Sequence, residues 1–439
     1  MDLRALFQDH LELRLACAGR ALAASGHDAL VISSGVPFMY YADDHEAPFQ
    51  GVAHFRHYCP IEGPHHVLKL EPGRRPLLVR YVPVDYWNEQ VPMDGAYWAD
   101  AFEIIEAPTP EAVWERVGRP ARTAYLGDEP ARAEAAGLAA NPPDLEAILD
   151  WGRSFKTPYE IQALEAATEL AARGHEASRR AFLAGGSEVE IHHAFVQAVD
   201  CMDHELAFPS IVALEPKGAT LHYRNKRHGR NGKVLLLDCG ARVRGYASDI
   251  TRTSFAPDCD PRFTALAGGL KQVQRRACAA MLPGVPFLEV HHLALRALGE
   301  VLQQAGITDA GPEEAFDKGF TRTFMPHGLG HFLGITIHDV AGRATGPEGG
   351  LLQPPAQDPA LRVTRTLAPG QVLTVEPGLY FIPMLLRRLR EGPDAARFDW
   401  KLIDALTPLG GIRFEDNIVM TAAGARNLTQ EHLPSWQEH

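Results

Sequence analysis

Five residues of the types that bind metal ions in proteins lie in or beside strand-like runs in the second half of the chain. They are Asp238 in VLLLDCG, Asp249 in YASDITRT, His331 in PHGLGHFLG, Glu376 in VLTVEPG and Glu415 in GIRFEDN. A pocket that buried them all would collect four carboxylates and one imidazole, a formal charge of about −4 that cannot be held without cations. Two divalent ions would neutralise that charge. The chain is therefore predicted to fold around a metal centre.

Composition allows such a pocket and argues against several kinds of partner. A length of 439 residues, of which 46 % are hydrophobic, predicts two or three domains with a large core. The net charge of −12 and the pI near 5.9 argue against nucleic acid, because phosphate binding needs clustered Lys and Arg. No run approaches the ~20 apolar residues of a membrane span. The opening residues mix charged and apolar side chains, unlike a signal peptide, so we expect a cytoplasmic protein without a membrane partner.

The pattern of predicted elements changes near residue 158. Before it, an amphipathic opening helix and the runs DALVISSG, LLVRYVP and TAYLG alternate with Pro- and Gly-containing turns, which predicts an α/β domain over residues 1–158. Next come a long helical stretch from about Glu160 to Leu183 and the strand-like runs KVLLLDCG, GYASDITRTSF, QVLTVEPGLYF and GIRFEDNIVM. They follow no regular strand–helix–strand period, so we predict an antiparallel α+β domain over residues 159–439.

Asp238 and Asp249 are eleven residues apart, and two glycines lie between them. In a symmetric hairpin these carboxylates would face each other with Cβ atoms roughly 4.5–5.5 Å apart. They could then share two metals at the ~3.5–4 Å separation typical of such sites. Taken alone, an Asp pair at this spacing is more often a turn cap and a surface charge. Cys239 should face away from Asp238 into the core, and the six cysteines, which form no CxxC pair, are predicted to be reduced thiols.

Arg413 and Glu415 lie two residues apart on an extended run and therefore point to one face, whereas Phe414 and Asp416 point to the other. This places a guanidinium beside a predicted ligand. An isolated Arg-x-Glu is more often an ordinary cross-strand ion pair. Glu376 ends an apolar strand, where it either reaches a site or caps a turn.

Four histidines add a second layer of candidates: His222 in ATLHYR, His327 and His331 in MPHGLGHFLG, and His338 in ITIHD. The four-residue gap between His327 and His331 suits a helix, but the two glycines between them disfavour one. Any single histidine is more often simply buried or exposed than a ligand, so the case rests on their number near acidic strand ends. One nitrogen and no thiolate among the predicted ligands favour Mn²⁺ or Co²⁺ over a structural zinc.

The five ligands, taken in order with the phrases LHY, SDITRT, PHGLGH, TVEPG and GGIRFEDN, resemble the metallopeptidases of the pita-bread fold. Within that group the chain is similar to the bacterial-type Xaa-Pro dipeptidase (prolidase) subfamily of family M24B, whose organophosphorus acid anhydrolase members share these phrases. YYADDHEAPF and PVDYW resemble its N-terminal domain, and FKTPYEI its entry to the catalytic domain. The resemblance implies an α+β pita-bread catalytic domain preceded by a smaller α/β domain of the creatinase type.

The same resemblance implies that dipeptides ending in proline are cleaved. The five ligands would hold two divalent ions, Mn²⁺ first with Co²⁺ and Zn²⁺ as alternatives, and a hydroxide bridging them would attack the carbonyl before proline. Glu376 would also shuttle the proton. His222 and His338 would stabilise the tetrahedral intermediate and hold the substrate, while His327 and Arg413 would bind the proline carboxylate, which suits guanidinium geometry.

Three further residues receive roles from this resemblance. Leu221 is a predicted substrate contact, and Asp44 is predicted to contact the substrate ammonium from the N-terminal domain of a partner subunit in a homodimer. Phe208, fourteen residues before His222, is also a predicted substrate-binding residue and stands where similar subfamily members have a tyrosine near the metals. Loss of that hydroxyl removes a hydrogen-bond partner and would alter rate, metal affinity or substrate range.

The sequence leaves other functions open. An aminopeptidase P would use the same site on longer peptides, and hydrolysis of organophosphorus triesters would be a side activity of the same hydroxide. A catalytically silent pita-bread protein that serves as a binding module is a third alternative. Such proteins usually lose ligands, whereas this chain keeps all five.

Overall fold

The computed structural model describes residues 2–87, 92–93, 95–118 and 121–433. The chain divides into two compact units. The first takes the chain up to Arg153 together with Thr157–Glu160 and Ala344–Gly350; the second takes Ser154–Lys156, Ile161–Arg343 and the chain from Leu351 on. The predicted boundary after residue 158 stays a prediction. None of the helices in the described part of the chain has the length and apolar surface that a bilayer crossing requires.

The first unit alternates helices with the strands of one six-stranded sheet. Its elements are α1 (Leu3–Ser25), β1 (Ala29–Ser33), α2 (Ala53–Tyr58), β2 (Val67–Leu70), β3 (Leu77–Tyr81), β4 (Glu103–Ala107), α3 (Pro110–Val117), β5 (Thr123–Leu126), α4 (Pro130–Ala135), β6 (Ala139–Ala140) and α5 (Pro143–Arg153). The strand order is β4-β3-β2-β1-β5-β6. β2 runs antiparallel to β1 and β3, while the other three pairings are parallel. The predicted α/β character is confirmed, because DALVISSG, LLVRYVP and TAYLG form β1, β3 and β5.

Local sequence explains why these elements begin and end where they do. Thr109 caps α3 by accepting a hydrogen bond from the backbone of Ala112, and Pro110 opens the helix with its φ already fixed. Gly26 ends α1 with φ +75°, a left-handed conformation that favours glycine. All five residues of β1 are buried, as expected for a strand in the middle of a covered sheet.

The second unit consists of helices around short antiparallel sheets. Its elements are α6 (Pro158–Leu183), α7 (Glu188–Val199), β7 (Ile211–Leu214), β8 (Val234–Cys239), β9 (Arg242–Val243), β10 (Tyr246–Ala247), β11 (Ile250–Phe255), α8 (Pro261–Ala280), α9 (Phe287–Gln304), α10 (Pro312–Asp317), α11 (Phe320–Phe324), β12 (Val372–Val375), β13 (Gly378–Tyr380), α12 (Pro383–Arg390), α13 (Trp400–Leu406), β14 (Gly411–Arg413), β15 (Asp416–Thr421), β16 (Gly424–Asn427) and α14 (Leu428–His432). The strands join in the orders β11-β8-β7, β12-β15-β16, β13-β14 and β10-β9. Every pairing is antiparallel, which confirms the predicted α+β class.

The predicted symmetric hairpin of Asp238 and Asp249 is wrong in its register. β8 pairs with β11 so that Asp238 lies opposite Thr251, and the small β9–β10 hairpin intervenes. The chain passes so closely here that a Cβ at Gly240 would lie 1.9 Å from the carbonyl oxygen of Ser248. Asp249 lies two residues before Thr251, so it is a diagonal neighbour of Asp238 on the same face rather than its direct partner.

Apolar side chains on the opposite strand faces form the core of this unit. Cys239 is fully buried among them, as predicted, and all six cysteines are free thiols. Phe414 and Ile418 belong to a core cluster that includes residues of α8 and α9, and α8 packs on α9 and against β12, β14 and β16. The two faces of β14 and β15 therefore separate an apolar side from a polar one.

Candidate metal centre

The polar strand ends of the second unit converge on one cavity of about 290 Å³. The five predicted ligands line it: Asp238 at the end of β8, Asp249 just before β11, His331 in the loop between α11 and β12, Glu376 just after β12, and Glu415 between β14 and β15. An isolated bridge between Thr251 and Glu415 joins the β8–β11 sheet to the β14–β15 segment. Residues from distant parts of the sequence thus meet at one place.

His331 lies at the centre of the carboxylates. Its Nε2 is 3.3 Å from Asp249 Oδ2, 3.7 Å from Glu376 Oε1 and 4.0 Å from Glu415 Oε1. Asp249, His331 and Glu415 are all buried, and each offers one ligand atom within 4.8 Å of the others. These separations suit donors that surround a cation at about 2.0–2.2 Å each.

The tautomer of His331 follows from its hydrogen bonds. Nδ1 donates to the carbonyl oxygen of Phe332 at 3.0 Å, which leaves the lone pair of Nε2 directed at the carboxylates. The backbone N–H of His331 donates to Thr374 Oγ1 at 3.1 Å and fixes the loop to β12. A ligand histidine in a metal site commonly has its second nitrogen held in this way.

The electrostatics of the site also fit a divalent cation. Burial, followed by the charges of Asp238 and Glu376, raises the pKa of Asp249 well above its usual range. Burial and the charges of Asp249 and Glu376 do the same to the pKa of Glu415. Asp238 Oδ1 is buried and finds no hydrogen-bond partner among the described residues. Mutually repelling carboxylates and an orphaned oxygen are what a bound cation relieves.

Arg413 fixes two of the predicted ligands through hydrogen bonds. It lies on the same side as Glu415, as predicted, with Nε 4.0 Å from Glu415 Oε2. Its Nη2 donates to Asp238 Oδ2 at 2.6 Å, its Nε to Thr251 Oγ1 at 2.9 Å and its Nη1 to the hydroxyl of Tyr380 at 2.9 Å. Thr251 in turn donates to Glu415 Oε2 at 2.6 Å. The guanidinium therefore orients two predicted ligands at once.

His327 joins this network through the buried Tyr380. The Tyr380 hydroxyl donates to His327 Nε2 at 2.9 Å while it accepts from Arg413, and His327 Nδ1 donates to the carbonyl oxygen of Gly328 at 2.8 Å. Burial and the nearby Arg413 charge lower the pKa of His327 to about 3, so the ring is neutral. His327 Nδ1 also lies 3.8 Å from Glu376 Oε2.

The remaining predicted site residues divide into two groups. Leu221, His222 and His338 line the cavity, and the His338 ring packs edge-on against His331 with centroids 4.5 Å apart. Of the described residues, Phe208 is half-buried just before β7 and is not part of the cavity wall. Asp44 is exposed in the first unit.

Several residues of the site were not predicted from the sequence. Tyr380, Thr251 and Arg362 were not predicted, although Arg362 lines the cavity and the other two hold Arg413. Tyr380 could have been found from the alternation of side chains along the run that follows Glu376. Arg362 lies in a loop, where no periodicity indicates which way a side chain points.

The sequence profile described as Metallopeptidase family M24 matches residues 162–422, and the profile described as Xaa-Pro dipeptidase, N-terminal domain, matches residues 5–151. A protein named Xaa-Pro dipeptidase from Marinobacter nauticus is 42 % identical over 416 residues, which cover 94 % of each chain. Proteins of the same name from Xanthomonas campestris pv. campestris and Stenotrophomonas maltophilia are 40 % and 38 % identical over 98 % of this chain and 98 % and 97 % of theirs.

Solved structures show the same architecture at lower identity. The Pseudomonas aeruginosa aminopeptidase PepP superposes with a TM-score of 0.73 at 21 % identity, covering 98 % of this chain and 99 % of the other. The proline aminopeptidase P II from Yersinia pestis gives a TM-score of 0.72 at 24 % identity, covering 100 % and 99 %. At such identities the likeness shows the fold alone.

Proposed function

The chain belongs to metallopeptidase family M24, and we propose that it is an Xaa-Pro dipeptidase that cleaves dipeptides ending in proline with the help of divalent metal ions. Its second unit carries the pita-bread catalytic fold, and its first unit is the N-terminal domain that accompanies this fold in Xaa-Pro dipeptidases. One observation carries the proposal. The five donors meet in one cavity, in a chain whose full-length relatives bear the name Xaa-Pro dipeptidase.

We assign two Mn²⁺ ions to the cavity, with Co²⁺ and Zn²⁺ as alternatives. The wall offers four carboxylates against the guanidinium groups of Arg362 and Arg413, a net formal charge of about −2 that requires at least one divalent ion, and we take the second ion from the likeness to two-metal peptidases. A donor set dominated by oxygen, with one imidazole, suits Mn²⁺. Bound ions would supply a water molecule with a pKa lowered towards neutrality and a Lewis acid for the scissile carbonyl.

Glu376 is our candidate for moving the proton. Its side chain is 18 % exposed, whereas those of Asp249 and Glu415 are 8 % and 3 % exposed. Glu376 therefore faces the open part of the cavity, where a peptide nitrogen would lie. Thr374 Oγ1 donates to Glu376 Oε1 at 3.4 Å and holds the carboxylate near the ligands.

Substrate recognition is assigned to the residues around this opening. We propose that His222 and His338 stabilise the tetrahedral intermediate beside Leu221, and that Arg413 and His327 bind the proline carboxylate. Both ring nitrogens of His327 already have partners, so His327 would donate to the substrate only by giving up its bond to the carbonyl oxygen of Gly328. Within the described residues Arg413 donates three of its five guanidinium N–H groups to protein partners. The others are available to a carboxylate oxygen.

Two further assignments concern Asp44 and Phe208, which are not part of the cavity wall, and two concern the location and a side activity of the protein. Asp44 is assigned to the substrate ammonium in a partner subunit, which requires a homodimer. Phe208, in place of a tyrosine, is assigned a weakening effect on catalysis or metal affinity. A cytoplasmic location completes the proposal, and hydrolysis of organophosphorus triesters would be a side activity of the same centre.

The test is hydrolysis of Gly-Pro, Leu-Pro and an Xaa-Pro-Xaa tripeptide by metal-stripped protein, before and after Mn²⁺ is added. We expect Mn²⁺-dependent cleavage of the dipeptides alone, and loss of that cleavage in Asp249→Asn, which removes a ligand but keeps the side-chain volume. Tripeptide cleavage would identify an aminopeptidase P instead. No cleavage of any substrate by protein with two bound metals would support the silent binding protein, and Phe208→Tyr would then be the next variant to assay.

A further inference from the structure

His222, to which we assign a role in the reaction, has an exposed side chain that no other side chain among the described residues holds in place. It lies in the β7–β8 loop, residues 215–233, and lines the cavity although its side chain is exposed. Its ring takes part in no hydrogen bond within the described part of the chain. Since no side-chain partner fixes the imidazole, its place depends on how firmly the backbone of the loop is held.

The buried carboxylate of Glu188 holds that backbone. Glu188 is the first residue of α7 and is fully buried. Its Oε1 accepts from the backbone N–H of Leu214 at 2.8 Å and lies 3.0 Å from Lys217 Nζ. Its Oε2 accepts from the hydroxyl of Tyr223 at 2.9 Å and from the backbone N–H of Arg227 at 2.7 Å. One carboxylate therefore gathers donors from both sides of His222.

Local bonds tighten the segment between these donors. The backbone N–H of Thr220 donates to the carbonyl oxygen of Lys217 at 2.9 Å, and that of Tyr223 donates to the carbonyl oxygen of Thr220 at 3.0 Å. The Tyr223 ring packs in a buried cluster with Tyr380, and Leu221 packs against that cluster. His222 is thus the exposed member of a short turn whose next residue is anchored on two sides.

We propose that Glu188 is a positioning residue for the reaction, because its carboxylate fixes the β7–β8 loop so that His222 faces the reacting carbonyl. This inference rests on the proposed function, in which His222 stabilises the tetrahedral intermediate. Glu188 itself does not line the cavity. It acts through the backbone and through Tyr223.

The hydrogen bonds that Glu188 makes to the β7–β8 loop require a carboxylate. All four contacts of Glu188 come from hydrogen-bond donors, two of them backbone amides that cannot turn away. A glutamine would present two N–H groups of its own to some of these donors, and the buried amides would lose an acceptor. Glu188→Gln therefore loosens the loop while it conserves side-chain volume.

The first experiment compares kcat and KM for Gly-Pro in the Mn²⁺-loaded parent and Glu188→Gln. We expect about a tenfold loss of kcat/KM, as is typical when a supporting contact is removed, and expect it mainly in kcat because His222 acts on the intermediate. Bound metal should stay at the parental value. Parental kinetics in Glu188→Gln would overturn the proposal, whereas an inactive parent would overturn the proposed function instead.

A double-mutant cycle with His222→Ala separates positioning from general stabilisation. If Glu188 acts through His222, Glu188→Gln should add almost no loss of kcat in the His222→Ala background, because the group it positions is already absent. Losses that multiply in the double variant would show that Glu188 supports the fold alone, and would overturn the proposal.

Tyr223→Phe keeps the experiment decisive if Glu188→Gln fails to fold. It removes one donor and keeps the ring in its cluster, so we expect a smaller loss of kcat that also disappears in the His222→Ala background. Glu160→Gln is the matched control, because Glu160 is equally buried and accepts from Arg14, His57 and the backbone of Thr157. It should lower stability and leave kcat unchanged. A tenfold loss of kcat there would count against a specific role of Glu188.

Discussion

At the residue scale, the site depends on groups that never need to touch the metal. Tyr380 illustrates this, because its hydroxyl is the single atom that joins Arg413 to His327. Burial raises the pKa of Tyr380 to about 12, so the hydroxyl keeps its proton and donates a hydrogen bond to His327 Nε2. Arg413 can only donate, so the Tyr380 hydroxyl accepts from it and directs its own proton to His327.

Tyr380→Phe tests this chain of bonds. The ring stays in its cluster, but Arg413 loses an acceptor and the neutral His327 loses its donor, so both side chains become freer to turn. We expect kcat/KM for Gly-Pro to fall by about tenfold, within the range for loss of a supporting contact, while bound Mn²⁺ changes little. Steady-state kinetics and metal analysis are the measurements. Unchanged kinetics would show that Tyr380 only fills space.

At the element scale, the positions of the strands could be predicted from the sequence better than their pairing. The runs around Asp238, Glu376 and Glu415 are strands, as predicted, because each is a short, mostly apolar run with a polar residue near its end. The register of β8 against β11 was wrong because β9 and β10 turn the chain first, and two-residue strands leave no readable alternation. The members of the site were predictable from flanking phrases, whereas Tyr380 and Arg362 depend on contacts that only the folded chain defines.

The first unit contains a buried histidine, His66, whose hydrogen bonds should make its stability depend on pH. His66 precedes β2, accepts from the backbone N–H of Tyr81 through Nδ1 at 3.0 Å and donates from Nε2 to the carbonyl oxygen of Glu62 at 3.1 Å. Burial lowers the pKa of His66 to about 4. Protonation of Nδ1 would leave two donors facing each other, so the folded state needs the neutral ring.

His66→Asn should therefore weaken the dependence of stability on pH. Between the ordinary histidine pKa near 6.5 and about 4, the unfolded chain binds a proton that the folded chain does not. The free energy of unfolding then falls with falling pH by up to about 1.4 kcal/mol per unit from this residue alone. Urea unfolding of metal-free protein at pH 7, 6 and 5 should show a shallower decline in the variant. Parallel curves would contradict this.

At the scale of the whole molecule, the fold of the second unit and the charge of its cavity oppose each other. The strands bring Asp238, Asp249, Glu376 and Glu415 together because their other faces are apolar and pack in the core. That packing favours folding, but in metal-free protein it forces carboxylates into mutual repulsion in a buried space. Bound cations replace the repulsion among the carboxylates with attraction to the metal. The same residues that destabilise the metal-free protein should therefore stabilise the metal-loaded protein.

Removal of metal should therefore lower the unfolding temperature of the parent, and Mn²⁺ should restore it. A hundredfold excess over the dissociation constant adds about 2.7 kcal/mol, which corresponds to about 5 °C for a unit of this size.

Asp249→Asn should shift the unfolding temperature in opposite directions in the metal-free and the Mn²⁺-loaded protein. Without metal it removes a repelling charge and should unfold at a higher temperature than the metal-free parent, but with Mn²⁺ it should gain less, because a ligand is lost. Calorimetry with and without chelator tests both signs, and His66→Asn should keep the full Mn²⁺-dependent increase. If metal-free Asp249→Asn unfolds below the metal-free parent, repulsion among the carboxylates is not what the cations relieve.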